Sequence, residues 1–328
     1  MNPGFPSPIR RALMATAIIA ALTPAVSMAQ AYPEKPIRLV VPYAPGAAAD
    51  QLARALGDRL GQALGQPVIV DNRGGAGGTL GADNVAKSPA DGYSLVLGTD
   101  ASHATNLYLS KRFPYDPVEN FTPVAPVAVN HIVLVVHPSL PVKTVSELIA
   151  YAKANPQALS FGSSGNGSAH HLAGELLIEK TGIRMVHVPY KGGGPAMTDL
   201  IGNSIPVLFA SLATAKPHID SGKVRVLAVV EDKRFPGLPN VPTIGETVPG
   251  YAISSWFAIF GPAGLPQPVA TKLNAEINKA LAQPALREML ERSGMSATGG
   301  KPMDLAALVK SELAEREKLV KGAGIEPE

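Results

Sequence analysis

The order of apolar runs constrains this chain more than any other feature. "IRLVVPY" (37–43) is a continuous apolar run rich in β-branched residues, the pattern of a strand buried on both faces. A loop of Gly and Ala follows. Then Leu52, Leu56, Leu60 and Leu64 recur at a spacing of four and predict one apolar helix face. "PVIVDN" (67–72) predicts the next strand, 79–87 a helix and "YSLVLGT" (93–99) a third strand. The alternation predicts right-handed crossovers with helices on both faces of a sheet. The order then restarts. "ALSFGSS" predicts a strand, and Ser168 onward a helix with Leu172, Leu176 and Leu177 on one side. "RMVHVPY" predicts a strand, "GGGPAMTDLIG" a loop and helix, "IPVLFAS" a strand, 212–221 a helix and "VRVLAVV" a strand.

Between the two sets, "PVAPVAVNHIVLVVHPS" (123–139) is an extended run long enough to leave one lobe and enter another. "YAISSWFAIFGPAG" (251–264) can carry the chain back, and helices at about 267–282, 284–293 and 303–321 finish it. The expected fold is α/β: two lobes, each a mainly parallel sheet flanked by helices, joined by two crossing strands. Lobe 1 takes residues 32–130 plus 252–328, and lobe 2 takes 131–251. A ligand cleft between lobes, closing by a hinge, follows from that arrangement.

Residues 1–31 read as a signal peptide. Arg10 and Arg11 precede the apolar run Ala12–Val26, which is short for a bilayer span, and small residues place cleavage near Ala29 or Ala31. Pro8 and Ile9 ahead of the arginine pair favour ordinary secretion over a twin-arginine route. The chain has 29 Lys and Arg against 26 Asp and Glu; without Arg10 and Arg11 it has 27 against 26. Such a balance gives no reason to expect nucleic acid. With no cysteine, an exported chain is stabilised by its core alone. The mature protein is expected to be a soluble monomer in the periplasm.

"SSGNGSAHHLAGE" (163–175) concentrates polar groups. His171 and Glu175 share a helix face, but no third ligand accompanies them, and His103, His131, His137, His187 and His218 are scattered. No metal and no cofactor is expected. A nucleophilic serine lacks the G-x-S-x-G elbow and an evident acid behind its base. "NRGGAGGTLG" (72–81) has Leu80 where a dinucleotide fingerprint needs its third glycine, and Gly222-Lys223 is followed by Val224, so no P-loop occurs.

Anion binding fits better. Ser168 can cap the helix that follows its strand, leaving backbone N–H groups and the positive end of the helix dipole toward a ligand. "PYAPGAAAD" (42–50), "GTDASHATN" (98–106) and "PYKGGGPAM" (189–197) repeat the design. All four loops leave carboxyl ends of strands, where α/β sheets bind ligands.

The segments "YPEKPIRLVVPYAPG", "GQPVIVDNRGGAGGTLGADNVAKSPADGYSLVLGT", "YDPVENFTPVAPV", "SSGNGSAHHLAGELL", "HVPYKGGGPAMTDLIG", "SGKVRVLAV", "LPNVPTIGE" and "SSWFAIFGPAGLP" give the mature chain a close resemblance to a known family. It resembles the periplasmic solute-binding receptors of tripartite tricarboxylate transporters, the Bug-type proteins. The resemblance implies a two-lobed periplasmic binding fold that captures a small carboxylate, a di- or tricarboxylate or an aromatic acid, through backbone amides and waters. It implies delivery to a membrane permease of one large and one small subunit. The matching site loops are Tyr43, Ala44, Pro45, Gly46, Ala47 and Asp50; Thr99 and Ser102; Ser163, Ser164, Gly165, Asn166, Gly167 and Ser168, with His171 facing the ligand; and Tyr190, Lys191 and Gly192. Ala47 stands where the family has glycine, and Leu265 where it has Thr. Phe209-Ala210-Ser211 lacks an acid that many relatives carry, which disfavours an amino-acid ligand. Two alternatives remain: a sensor feeding a signalling system without transport, and a cleft enzyme using Ser164 and His171.

Overall fold

Strand and helix alternate through most of the chain. The computed structural model describes residues 32–157, 159–322 and 327, so the expected signal peptide lies outside the described residues. The elements run β1 (Ile37–Val41), α1 (Ala48–Leu64), β2 (Val68–Asn72), α2 (Thr79–Ala86), β3 (Ser94–Thr99), α3 (Asn106–Leu109) and β4 (Phe121–Asn130). Next come β5 (Ile132–Val136), α4 (Val145–Ala154), β6 (Ser160–Ser163), α5 (Ala169–Thr181), β7 (Val186–Pro189), α6 (Gly193–Ile201), β8 (Val207–Ser211), α7 (Leu212–Asp220) and β9 (Arg225–Val229). The chain ends with β10 (Trp256–Pro262), α8 (Gln267–Ala282), α9 (Pro284–Arg292), β11 (Met295–Ala297) and α10 (Pro302–Gly322).

The strands form two sheets, each the centre of a lobe. One has the order β11-β4-β10-β3-β1-β2 and the other β7-β6-β8-β5-β9. Both are mixed. The strand–helix repeats give parallel groups, β2-β1-β3 and β7-β6-β8. The crossing segments add antiparallel pairs. β4 leaves the first sheet and β10 returns to it, so they run in opposite directions side by side, and β5 enters the second sheet against β8 and β9.

Strand β5 shows why its sequence is apolar throughout. Ile132, Leu134 and Val136 point into one core with Leu148 of α4 and Leu172, Leu176 and Leu177 of α5. Val133 and Val135 point into the other, with Met197 and Leu200 of α6 and Leu212 of α7. In the first sheet Ala258 and Phe260 of β10 pack on Leu305 and Val309 of α10. On its opposite face Leu60 and Leu64 of α1 meet Ile37, Leu39, Leu95 and Ile259. Helix α4 is additional to the helices the repeat predicts; Thr144 caps it by accepting from Glu147 N at 3.1 Å.

The crossings lie together. Only His131 separates β4 from β5, and Asn130 N donates to Ser255 O at 2.9 Å just before β10. Helix α10 runs past this junction. Its Leu305 and Val309 belong to the first lobe's core and its Val320 to the second's. Between them Arg316 and Glu312 form a buried ion pair at 2.8 Å, and Arg316 Nη2 donates to Ser254 O at 2.8 Å. No helix among the described residues is long and apolar enough to cross a membrane.

Candidate functional site

Five chain segments bring backbone N–H groups to one cavity. Helix α1 begins after Ala47 and α6 after Gly192, with no side-chain cap at either. Their leading N–H groups are therefore left free, since a helix's first turn has no internal acceptors for them. Gly192 holds φ at 123°, a conformation that favours glycine. Helix α7 begins after Ser211, again without a side-chain cap. Helix α5 begins after Ser168, whose hydroxyl accepts from His171 N at 3.2 Å, so only part of that helix start is satisfied. The turn after β3 supplies the fifth segment.

The cavity holds about 470 Å³ of space free of atoms, its mouth included. Tyr43, Ala47, Thr99, Ser164, Ser168 and Gly192, each expected from the loop pattern, line it. Tyr43 OH lies 3.2 Å from Thr99 Oγ1, and burial, then the charge of Asp100, push its pKa up, so it stays a neutral hydroxyl. Among the described residues no Lys or Arg lines the cavity. A wider groove opens beside it, sharing Tyr43 and Ser164 and bordered by Ala44, Pro45, Gly165, Asn166, Tyr190 and Lys191. Tyr190 spends its hydroxyl on Asp199 at 2.7 Å; burial and that carboxylate raise its pKa to about 12.

The remaining loop residues organise the walls without lining either space. Asp50 accepts from Gly46 N at 2.9 Å, Asn72 Nδ2 at 3.0 Å and Arg54 Nη2 at 2.9 Å. Burial acts to raise its pKa, but these hydrogen bonds, Arg54 first, hold it below the usual carboxylate value. Ser102 and Thr99 exchange hydrogen bonds between backbone and side chain at 3.0 and 3.3 Å. Ser163 Oγ accepts from Gly165 N at 3.1 Å and meets His187 Nε2 at 2.7 Å.

His171, expected to face the ligand, lines neither the cavity nor the groove. Its Nδ1 accepts from Gly167 N at 3.2 Å, and its ring stacks on His187 at 3.9 Å between centroids. The facing histidine is His170, one residue and about 100° earlier on α5. His170 Nδ1 meets Ser164 Oγ at 2.7 Å and Nε2 meets Ser211 Oγ at 3.1 Å. Burial drops its pKa to about 4, so it is neutral. This is a Ser–His contact, but a hydroxyl rather than a carboxylate lies behind the base.

The cavity has further wall residues beyond those named from the sequence. Of Asp100, Asn130, Thr214, Ser255 and Phe257, only Asp100, which follows β3, lies in one of the four loops the sequence singled out. The other four line the cavity from the end or start of an element, outside any recognisable motif. The lobes also touch at the groove. A methyl group at Gly77, in the loop before α2, would lie 2.7 Å from Asn166 O of lobe 2. One at Gly167 would overlap Asn106 Oδ1 of α3. The "RGGAGG" glycines thus permit close approach of the lobes.

Comparison with known proteins gives the same picture. The model of the tripartite tricarboxylate transporter family receptor matches residues 52–325. Protein BugT of Bordetella pertussis (strain Tohama I) is 37% identical over 298 residues, 90% of this chain and 91% of that one. The structure of Rpa4515 of R. palustris with adipate is 40% identical with a TM-score of 0.88, covering 90% of this chain and 100% of that one. MatC of Rhodopseudomonas palustris with bound malate is 32% identical with a TM-score of 0.84, covering 88% and 100%. The chain belongs to the family of tripartite tricarboxylate transporter receptors, two-lobed periplasmic solute-binding proteins.

Proposed function

We propose that this protein captures a small organic carboxylate in the cavity and delivers it to a membrane permease of one large and one small subunit. One observation carries the reading: helix starts without side-chain caps, α1 from the first lobe and α6 and α7 from the second, converge on a cavity that, among the described residues, no Lys or Arg lines. Oriented N–H groups and hydroxyls bind an anion there, strengthened where the lobes exclude water. That relatives hold adipate and malate supports the ligand class.

Tyr43, Ala47, Thr99, Ser164, Ser168 and Gly192 serve at the ligand. Ala44, Pro45, Gly165, Asn166, Tyr190 and Lys191 serve at the mouth, and Gly46, Asp50, Ser102, Ser163, Gly167 and His171 hold the loops in place. Lobe 1 takes 32–130 plus 252–328 and lobe 2 takes 131–251. Removal of residues 1–31 releases the protein into the periplasm.

The protein acts by stoichiometric binding, without turnover. Thermal-shift screening against di- and tricarboxylates, aromatic acids and neutral solutes tests the reading. A ligand at 100 times its Kd adds about 2.7 kcal/mol of stability. Stabilisation by a neutral solute and by no carboxylate would sink it.

A further inference from the structure

Two residues on the hinge side of the cavity carry buried oxygens that no group among the described residues donates to. Asp100, directly after β3, is 3% exposed. Its Oδ1 accepts from Ser255 Oγ at 3.1 Å, while its Oδ2 is buried with no partner in the chain. Asn130, the last residue of β4, is 2% exposed; its Nδ2 donates to Ser255 Oγ at 3.2 Å and its Oδ1 is buried with no partner either. Asp100, Asn130 and Ser255 all line the cavity. Buried acceptors are nearly always paired, because leaving one unmade forfeits its hydration without return.

The nearest cation does not serve them. Arg316 directs its donors to Glu312 and Ser254. The charges around Asp100 are those of Arg316 and Glu312, with the hydroxyls of Ser255 and Tyr43 and the Trp256 N–H beside it. Burial raises the Asp100 pKa to about 6; Arg316 pulls it down and Glu312 pushes it back up, so the carboxylate is desolvated and only partly compensated.

We infer that Asp100 and Asn130 form an acceptor subsite, so the acid taken here carries an N–H or O–H donor on its carbon skeleton. The inference rests on the carboxylate reading of the cavity. An amino or hydroxy acid offers its carboxylate to the helix starts and its donor to the two oxygens. An ammonium, with three N–H groups, can serve both oxygens and offset the charge. A plain diacid brings only further negative charge toward Asp100, so the same subsite selects against it. The missing acid near Ser211, which as a sequence pattern disfavoured an amino acid, is matched by one just after β3.

Calorimetry on the full chain at pH 7.5 with acids matched in skeleton tests this: succinate, malate and aspartate; glutarate, 2-hydroxyglutarate and glutamate; adipate and 2-aminoadipate. The donor-bearing member should bind at least tenfold tighter than its plain partner in the best-binding set, and Asp100→Asn should cut that preference below threefold. The amino and hydroxy arms separate the two donor types. Plain acids binding as tightly as donor-bearing ones in every set would overturn the subsite and leave the receptor reading intact. If no acid in any set binds, the subsite is overturned, and the receptor reading is decided separately by the thermal-shift screen of tricarboxylates and aromatic acids. The wild-type comparison decides even if the variant does not fold.

Discussion

Ser164 Oγ and His170 Nδ1 meet at 2.7 Å across the first turn of α5, in the wall of the cavity. Because burial leaves His170 a weak base, with a pKa of about 4, and Ser211 rather than a carboxylate lies behind it, the pair holds a hydroxyl in place rather than activating it. Ser164→Ala should weaken carboxylate binding by about three- to tenfold, the worth of one hydrogen bond. His170→Gln should do the same by freeing Ser164. Calorimetry checks both, and complete loss with either would mean that the side chains, not the backbone N–H groups, hold the anion.

Lobe closure depends on missing side chains. Gly77→Ala places a methyl 2.7 Å from Asn166 O across the groove, while its φ of 61° also strains the loop. Affinity should fall about tenfold or more, the cost of overpacking being ~1–3 kcal/mol. A ligand-free melting temperature that falls in step with affinity would show that strain, not obstructed closure, is responsible.

Acid should destabilise the protein through its buried histidines. Burial lowers the pKa of His170 to about 4 and that of His103, stacked 3.9 Å from Phe260, to about 3. Both folded values lie below the unfolded one, so their stabilisation is complete above pH 6.5 and is lost as pH falls toward 4. The loss is on the order of 3 kcal/mol each by pH 4. Denaturant titrations of wild type and His103→Phe should diverge below pH 6; parallel curves would remove His103 from the account.

Asp100 has the opposite sign. Its folded pKa of about 6 exceeds the ordinary carboxyl value of 3.8, so it penalises the folded state above pH 6 and not below pH 4. Asp100→Asn should raise ligand-free stability at pH 7 by on the order of 2 kcal/mol, with the gain gone by pH 4. A gain independent of pH would point to packing instead.

The Glu312–Arg316 pair beside the crossing strands is 4% exposed at each residue. Glu312→Gln alone should cost about 3–5 kcal/mol by stranding a buried guanidinium, and replacing both by Met should cost far less. Urea unfolding of the two variants measures the difference.

The elements were legible in the sequence because each local rule agrees with its neighbours. The leucines at 52, 56, 60 and 64 are all buried, and the run 132–136 supplies both faces of a sheet. The loops at Tyr43, Thr99, Ser164 and Gly192 reached the cavity because they follow strand ends. What was not legible is what topology assembles. Asp100, Asn130 and Ser255 come from three distant stretches, and only the order β4-β10-β3 brings them side by side. Whether His170 or His171 faces inward turns on one residue of helix phase, which loop sequence does not settle.

That same strand order has a kinetic side. β10 sits between β3 and β4, yet the whole second sheet is encoded between β4 and β10. As the chain emerges from the ribosome, the first sheet lacks an inner strand until the second can already have formed from pairings that lie closer together in the chain. Trp256, the protein's single tryptophan, opens that late strand and is buried in the finished sheet. Its fluorescence during refolding therefore timestamps the closing of the first lobe, the step that also delivers Ser255 to the cavity wall.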